Sequence, residues 1–389
     1  MKRSWKRVAL TAAVLAVGMG LIGCRGQTYE RIEAETDTQT QDVVVIAESD
    51  AGTEEIVIET EETAPEEKEA QPVRLLFGGD VLLSDHVLNA YSQAGGIHGV
   101  LDEDFRNVID SADFFMVNEE FPFSDRGVKA ADKQYTFRLE PEKVSVFQEM
   151  GIDAVTLANN HALDFGVDAL LDTCTVLDGA GILHAGAGAD IAEAKKPVET
   201  EISGQRIAVI GATRVVPDYR WTALDDRPGM LSAYESVSEA LLEEIRVQKQ
   251  AGKLTAVYVH WGIERDEKPQ EYQRAMAKQY IDAGADIVIG SHPHVLQGIE
   301  YYRGKPIVYS LGNFVFGSSI PRTMLLEVTV EPDEAYADAP LLSLRVLPGT
   351  SAAGRTRMLS DEEERREFYR YLEGISFGVT IASDGTVTP

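Results

Sequence analysis

His292 and His294, with Pro293 between them, follow a short β-branched run at residues 286–289 that ends in Gly290. In an extended segment, residues two apart project to the same side, so the two imidazoles are expected to converge on one point, as metal coordination requires. A β-branched run ending in glycine reads as a buried strand entering a tight loop. Four other apolar runs end in polar residues. Residues 73–77 lead through Gly78 and Gly79 to Asp80, and residues 114–117 lead through Asn118 and Glu119 to Glu120. Residues 152–158 lead to Asn159, Asn160 and His161, and residues 254–259 lead to His260. Oxygen and imidazole donors of this kind suit Mn, Fe or Zn rather than a thiolate structural site. Singly, Asp80 reads as a turn residue, Glu120 as a solvated acid, Asn160 as a cap and each histidine as a hydrogen-bonded one. Their recurrence at five strand ends is what makes them candidate metal ligands.

The runs alternate with helical patterns near residues 82–91, 105–109, 141–150, 164–179, 235–250 and 271–283, and further strands fit residues 205–210 and 307–311. Such alternation predicts an α/β architecture, whose sites form in loops beyond the carboxyl ends of the strands. Residues 73–349 are expected to form one domain. Residues 350–389, with a charged helix near 361–373 and a short strand near 379–381, are expected to pack on it as an extension.

The formal net charge is -28, which excludes a nucleic-acid backbone as partner and provides no basic patch for an anionic membrane. Residues 1–24 carry Lys2, Arg3, Lys6 and Arg7 ahead of an apolar stretch at 8–22 that is short for a membrane span. The stretch closes with Leu21, Ile22, Gly23 and Cys24, which resemble a bacterial lipoprotein signal cleaved before a lipidated Cys24; the alternative is an uncleaved anchor helix. Either reading places the bulk of the chain outside the cytoplasm, at the outer face of the cell membrane. With Cys24 lipidated, Cys174 has no intrachain partner. Residues 25–72 hold 15 acidic against 3 basic side chains and no sustained apolar period, which predicts a disordered acidic linker.

The ordered blocks Gly79-Asp80, Asn118-Glu119-Glu120-Phe121-Pro122, Asn159-Asn160-His161-Ala162-Leu163-Asp164-Phe165-Gly166, His260-Trp261-Gly262-Ile263-Glu264, Gly290-Ser291-His292-Pro293-His294 and Ser310-Leu311-Gly312-Asn313-Phe314 resemble the motif series of the CapA family, also called PgsA. These are poly-gamma-glutamate capsule biosynthesis proteins, and the match runs in order through about residues 73–330. The family is in turn similar to calcineurin-like metallophosphoesterases. The resemblance implies a four-layer α/β/β/α sandwich with a divalent metal centre of one or two ions. It implies Asp80 and His294 on a first ion, Glu120 as bridging carboxylate, Asn160, His260 and His292 on a second, and His161 as the acid that protonates a leaving oxygen. Leu82 stands where the phosphoesterase pattern has a histidine, and Glu120 where it has an aspartate. Asn118, Asp164, Glu264 and Asn313 are read as pocket residues or as groups orienting the ligands, with capping and turn roles equally open. His86, His98 and His184 match no motif and read as ordinary histidines.

Two classes of function follow from the resemblance. One is a lipid-anchored metal-dependent hydrolase serving synthesis, export or release of an anionic capsule polymer. The other is a non-enzymatic accessory that keeps the fold and contacts the polymer or membrane-embedded synthesis and export proteins. A metal-dependent phosphoesterase unrelated to capsule is a third reading.

Overall fold

The computed structural model describes residues 43–45, 57–59, 71–234, 238–331 and 341–389. The chain divides into two units, Met1–Lys68 and Glu69–Pro389. In the first, Val43–Val45 and Val57–Glu59 pair antiparallel. The leader, Cys24 and nearly all of the acidic linker lie outside the described residues. Among the described residues no helix is long and apolar enough to cross a membrane.

The second unit is built on two sheets. The first takes strands β1 (Val73–Val81), β2 (Phe114–Glu119), β3 (Ala154–Thr156) and β4 (Leu183–Ala185), all parallel neighbours. The second takes β5 (Val198–Ile202), β6 (Gln205–Thr213), β7 (Leu254–His260), β8 (Ile287–Ser291), β9 (Leu296–Tyr302) and β10 (Lys305–Leu311), in the order β9-β10-β8-β7-β6-β5. The chain then returns to the first sheet. There β11 (Asn313–Val315) lies parallel to β1, and β12 (Ser319–Glu331) pairs antiparallel with both β1 and β13 (Leu341–Ala352).

Alternation along the strands sorts side chains into three apolar layers. Phe77, Met116 and Ala154 of the first sheet meet Val209, Ala256, Tyr258 and Ile289 of the second between the sheets. The residues in between face outward. Leu76, Phe115, Val117 and Val155 pack with Val87 of helix α1 (Asp85–Ala94), Phe105 of α2 (Glu103–Ser111), Phe147 of α3 (Val144–Glu149) and Leu170 of α4 (Val167–Ala180). On the far side Ile210, Val257 and Val288 pack with Leu241 of α5 (Glu239–Gln250) and Met276 and Tyr280 of α6 (Glu271–Ala283). Helix, sheet, sheet and helix therefore form four layers, the architecture expected from the sequence. A final helix, Glu362–Ile375, is capped by Asp361 and sends Phe368, Tyr369 and Leu372 into the layer between the sheets.

The differences from sequence expectation have local causes. The first helix starts at Asp85 because Leu82 N bonds to Val315 O and Ser84 Oγ to Phe316 O, which keeps that segment extended beside β11. The fourth helix starts at Val167, and Asp164, three residues upstream, is used elsewhere.

Candidate metal centre

The parallel strands of both sheets end at one edge, and the alternation that fills the layer between the sheets sets which side chains meet there. Tyr258 is in that layer, so His260, two residues on, faces the same space. Met116 likewise places Asn118 on that face and Glu119 on the helical side. Strand β1 needs a correction to do the same. Phe77 pairs with Met116, yet Asp80 pairs with Asn118, so Gly78 and Gly79 together stand opposite Val117. This bulge reverses the alternation: Asp80 turns toward the site and Val81 into the outer layer. A side chain at Gly79 would sit 1.8 Å from Gly312 O, so glycine is what lets Asp80 N reach Gly312 O at 2.8 Å.

Asp80, Glu120 and His260 are buried and each offers a ligand atom within 4.8 Å of the others. Asn118 Nδ2 donates to Asp80 Oδ1 at 2.8 Å and to Glu120 Oε1 at 3.1 Å, and lies 3.2 Å from His260 Nδ1. Ser291 Oγ is 3.1 Å from the same nitrogen. His260 Nε2 faces Asn160 Oδ1 at 2.8 Å and Glu120 Oε1 at 3.5 Å. His292 N donates to Asp80 Oδ2 at 3.3 Å, and its ring centre is 4.6 Å from that of His260. His294 Nδ1 lies 3.3 Å from Asp80 Oδ2 and 2.8 Å from Asn313 Oδ1.

The histidine pair does not reach the site as an extended segment. His292 has φ 99 and His294 φ 59, both in the left-handed region that favours glycine. Hydrogen bonds hold the bent loop, from Trp261 N to Ser291 O at 3.1 Å and from Arg265 N to Pro293 O at 2.7 Å. Two strained non-glycine residues separated by one proline are the kind of backbone that concentrates at binding sites.

Burial governs the electrostatics. It pushes the His260 imidazolium well down, helped by His292 and His294, and pushes His292 down to about 4. Both rings are therefore neutral near pH 7, the form that binds metal. Burial also pushes the Glu120 carboxyl well up, reinforced by Asp80. For His294 burial acts downward, but the Glu120 and Asp80 carboxylates outweigh it and raise the ring to about 10. Among the described residues one buried oxygen, Glu120 Oε2, and one buried nitrogen, His292 Nδ1, have no hydrogen-bond partner. Close carboxylates, neutral imidazoles and unpartnered donor atoms in one buried cluster fit a divalent cation.

His161 stands beside this cluster, nearly buried, with Nδ1 2.7 Å from Asp164 Oδ2. Phe137 N donates to the same oxygen at 2.7 Å. Asp164 thus orients His161 rather than capping a helix. Lys133, which no sequence pattern singles out, lies within 3.0 Å of His161 Nδ1 and contacts Asp164 Oδ1 and Asn160 O. It comes from the segment between β2 and α3 and reaches the site only through tertiary folding. Asn159 also contributes, donating from Nδ2 to Asn118 Oδ1 at 3.0 Å and accepting from His161 N at 2.9 Å.

Other candidates lie differently. Leu82 is buried in the outer layer, so β1 supplies no second ligand. Glu264 is exposed and, among the described residues, bonds to no histidine; its charge acts on Glu120 and Lys133. His184 pairs with Asp178 at 3.3 Å. Burial pushes the Cys174 thiol up to about 12, which leaves it protonated and unreactive.

A model of the family described as "Bacterial capsule synthesis protein PGA_cap" matches residues 74–318. The "Capsule biosynthesis protein CapA" of Bacillus anthracis is 34% identical over 275 residues, 68% of this chain and 65% of the relative. The "PGA biosynthesis protein CapA" of Bacillus subtilis is 35% identical over 251 residues, 64% of each chain. A Mycobacterium tuberculosis protein named "Probable polyglutamine synthesis accessory protein" is 32% identical over 295 residues, 70% of this chain and 75% of the relative. The alignments span just under two thirds of the length of the two Bacillus proteins.

Proposed function

This chain belongs to the PGA_cap family of bacterial capsule synthesis proteins, and from that membership we propose that it is a metal-dependent hydrolase of poly-gamma-glutamate capsule biosynthesis or export. The observation that carries the enzymatic reading is the buried cluster of Asp80, Glu120 and His260, with Glu120 Oε2 and His292 Nδ1 unpartnered. Asp80, Glu120, Asn160, His260, His292 and His294 would hold the metal, as one ion or two. Bound there, the metal supplies Lewis acidity and positive charge against a developing anion.

The chain's own residues set the rest. Asn118 fixes Asp80 and Glu120 by donating to both, and Ser291 and Asn118 hold His260 so that Nε2 faces the ligand oxygens. Asp164 and Lys133 hold His161 in one orientation. His161 is the group placed to hand a proton to a leaving oxygen. The leader supports a lipid anchor at Cys24 and a position on the outer face of the membrane, with the capsule polymer and membrane-embedded synthesis or export proteins as partners. A second reading, a non-enzymatic accessory, draws on the word "accessory" in the name of the mycobacterial relative and on Leu82 in place of a ligand.

Metal analysis of the purified full-length protein beside a His292→Ala/His294→Ala variant tests the enzymatic reading. The wild-type protein is expected to carry transition metal and the folded double variant to lose most of it. Equal content in both, or none in either, would rule the metallohydrolase out.

A further inference from the structure

Residues 214–234 form a loop that leaves β6 and touches the metal centre twice. Arg214 N donates to His260 O at 2.7 Å, and the Trp221 ring lies 5.5 Å from Lys133 Nζ, the group that contacts His161. Within the loop is a cavity of about 430 Å³ lined by Val216, Tyr219, Thr222, Leu224, Arg227 and Tyr234, among others. That volume falls in the range of small-ligand pockets.

The loop's three arginines are not equivalent. Arg220 is committed to Asp218, at 3.0 and 2.9 Å from its two oxygens. Arg227 donates only to backbone carbonyls, to Thr222 O at 3.0 Å and Tyr219 O at 3.4 Å. Arg214 stacks its guanidinium 3.6 Å from the centre of the Tyr234 ring and 5.1 Å from that of Tyr272, and among the described residues its buried Nε has no hydrogen-bond partner. Among the described residues neither Arg214 nor Arg227 forms a salt bridge. In a chain of net charge -28, two such guanidinium groups, one lining the cavity with Tyr234 and the other stacked on that ring, make one place that does not repel an anion. A planar guanidinium fixed by aromatic stacking or backbone bonds matches a carboxylate better than a diffuse charge does.

We propose that the cavity walled by Arg227 and Tyr234, with Arg214 stacked behind Tyr234, is a substrate subsite that takes a carboxylate of an acidic polymer running past the metal centre. This rests on the reading of the chain as acting on a glutamate polymer, and it adds where the free α-carboxylate of the γ-linked polymer is recognised. The residues involved are positioning residues, and none is a candidate ligand.

Calorimetric titration of the full-length protein in detergent with a γ-linked glutamate tetramer tests the subsite, with a γ-linked isoglutamine tetramer, its α-carboxylates amidated, as control without pendant charge. The glutamate tetramer is expected to bind about tenfold more tightly than the isoglutamine one, and Arg214→Gln and Arg227→Gln are each expected to weaken it about tenfold while metal content stays unchanged. Equal affinity for the two tetramers, or wild-type affinity in Arg227→Gln, would overturn the proposal, and Arg227→Gln decides should Arg214→Gln fold poorly. Displacement of the tetramer by inorganic phosphate at equal concentration would also overturn it, marking a phosphate site instead. Selective binding that persists in His292→Ala/His294→Ala, with no turnover in either protein, would keep the subsite and discard the hydrolase.

Discussion

Lys133 Nζ lies 3.0 Å from His161 Nδ1 and contacts the fully buried Asp164 carboxylate, so one ammonium ties the segment between β2 and α3 to the edge of the metal centre. Lys133→Met leaves Asp164 with only His161 and Phe137 N as partners. The expected loss is about 3–5 kcal/mol of stability, the range for breaking a buried pair from one side. Denaturant titration of the two proteins checks this, and an unchanged midpoint would show the contact to be incidental.

Glu120 and Asp80 are buried close together, and burial and mutual repulsion both push the Glu120 carboxyl upward. In chelated protein Glu120→Gln should therefore raise the melting temperature, by roughly 1–2 kcal/mol of stability. The same variant should bind little metal, so added metal should stabilise wild-type protein and not the variant. Thermal melts with and without chelator separate the two effects.

The left-handed backbone at His292, φ 99, costs about 1 kcal/mol that glycine would not incur. In metal-free protein His292→Gly should thus be more stable than His292→Ala by roughly that amount. Equal stability of the two would mean the loop relaxes once the imidazole is gone.

A Cβ at Gly79 meets the Gly312 carbonyl oxygen and carbon at 1.8 and 2.9 Å. Both belong to backbone, which cannot swing aside, so Gly79→Ala must push β1 and β11 apart. A loss of roughly 2–4 kcal/mol is expected. Metal affinity should fall with it, since the same displacement moves Asp80; a stable variant with full metal content would disprove the account.

Acid sensitivity should arise away from the site. Burial pushes Glu300 upward, but hydrogen bonds from Arg274, Tyr309 and Lys278 outweigh it, and Glu327 is held down in the same way by Arg74 and Arg345. A carboxyl with a lowered folded-state value stabilises the fold above its unfolded value, near 4.3, and that contribution drains as pH falls through the folded value. Glu300→Gln should consequently lower the melting temperature at pH 7 and flatten its decline from pH 5 to pH 3. A parallel decline in both proteins would assign the acid sensitivity to other groups.

The α/β class and the strand-end residues were legible in the sequence because apolar runs and strand-to-helix alternation are local patterns, whereas the four layers came from the family resemblance. The expectation of an extended His292-Pro293-His294 segment failed because hydrogen bonds from Trp261 and Arg265, distant in sequence, fold the loop into left-handed turns. Lys133 was not legible, since nothing in its neighbours distinguishes a lysine that ends up beside Asp164 from a solvated one. The bulge at Gly78 and Gly79 was hidden for a related reason. Two glycines fit a turn as well as a bulge, and only the pairing with β2 decides between them. The long strands β12 and β13 were also missed, although they complete the first sheet beside β1.

The donors of the centre are split between the two sheets: Asp80, Glu120 and Asn160 come from the first, and His260, His292 and His294 from the second. The separations along the chain are 100 residues for His260 and Asn160 and 212 for His292 and Asp80. A chain emerging from its N-terminus must therefore carry Asp80 and Glu120 well ahead of the candidate ligand imidazoles, the first of which is His260. Contacts of such long range form late in folding. On the proposed reading, metal capture would be a checkpoint of completed assembly, and a truncation before His292 should yield a species that folds in part and takes up no ion at this site.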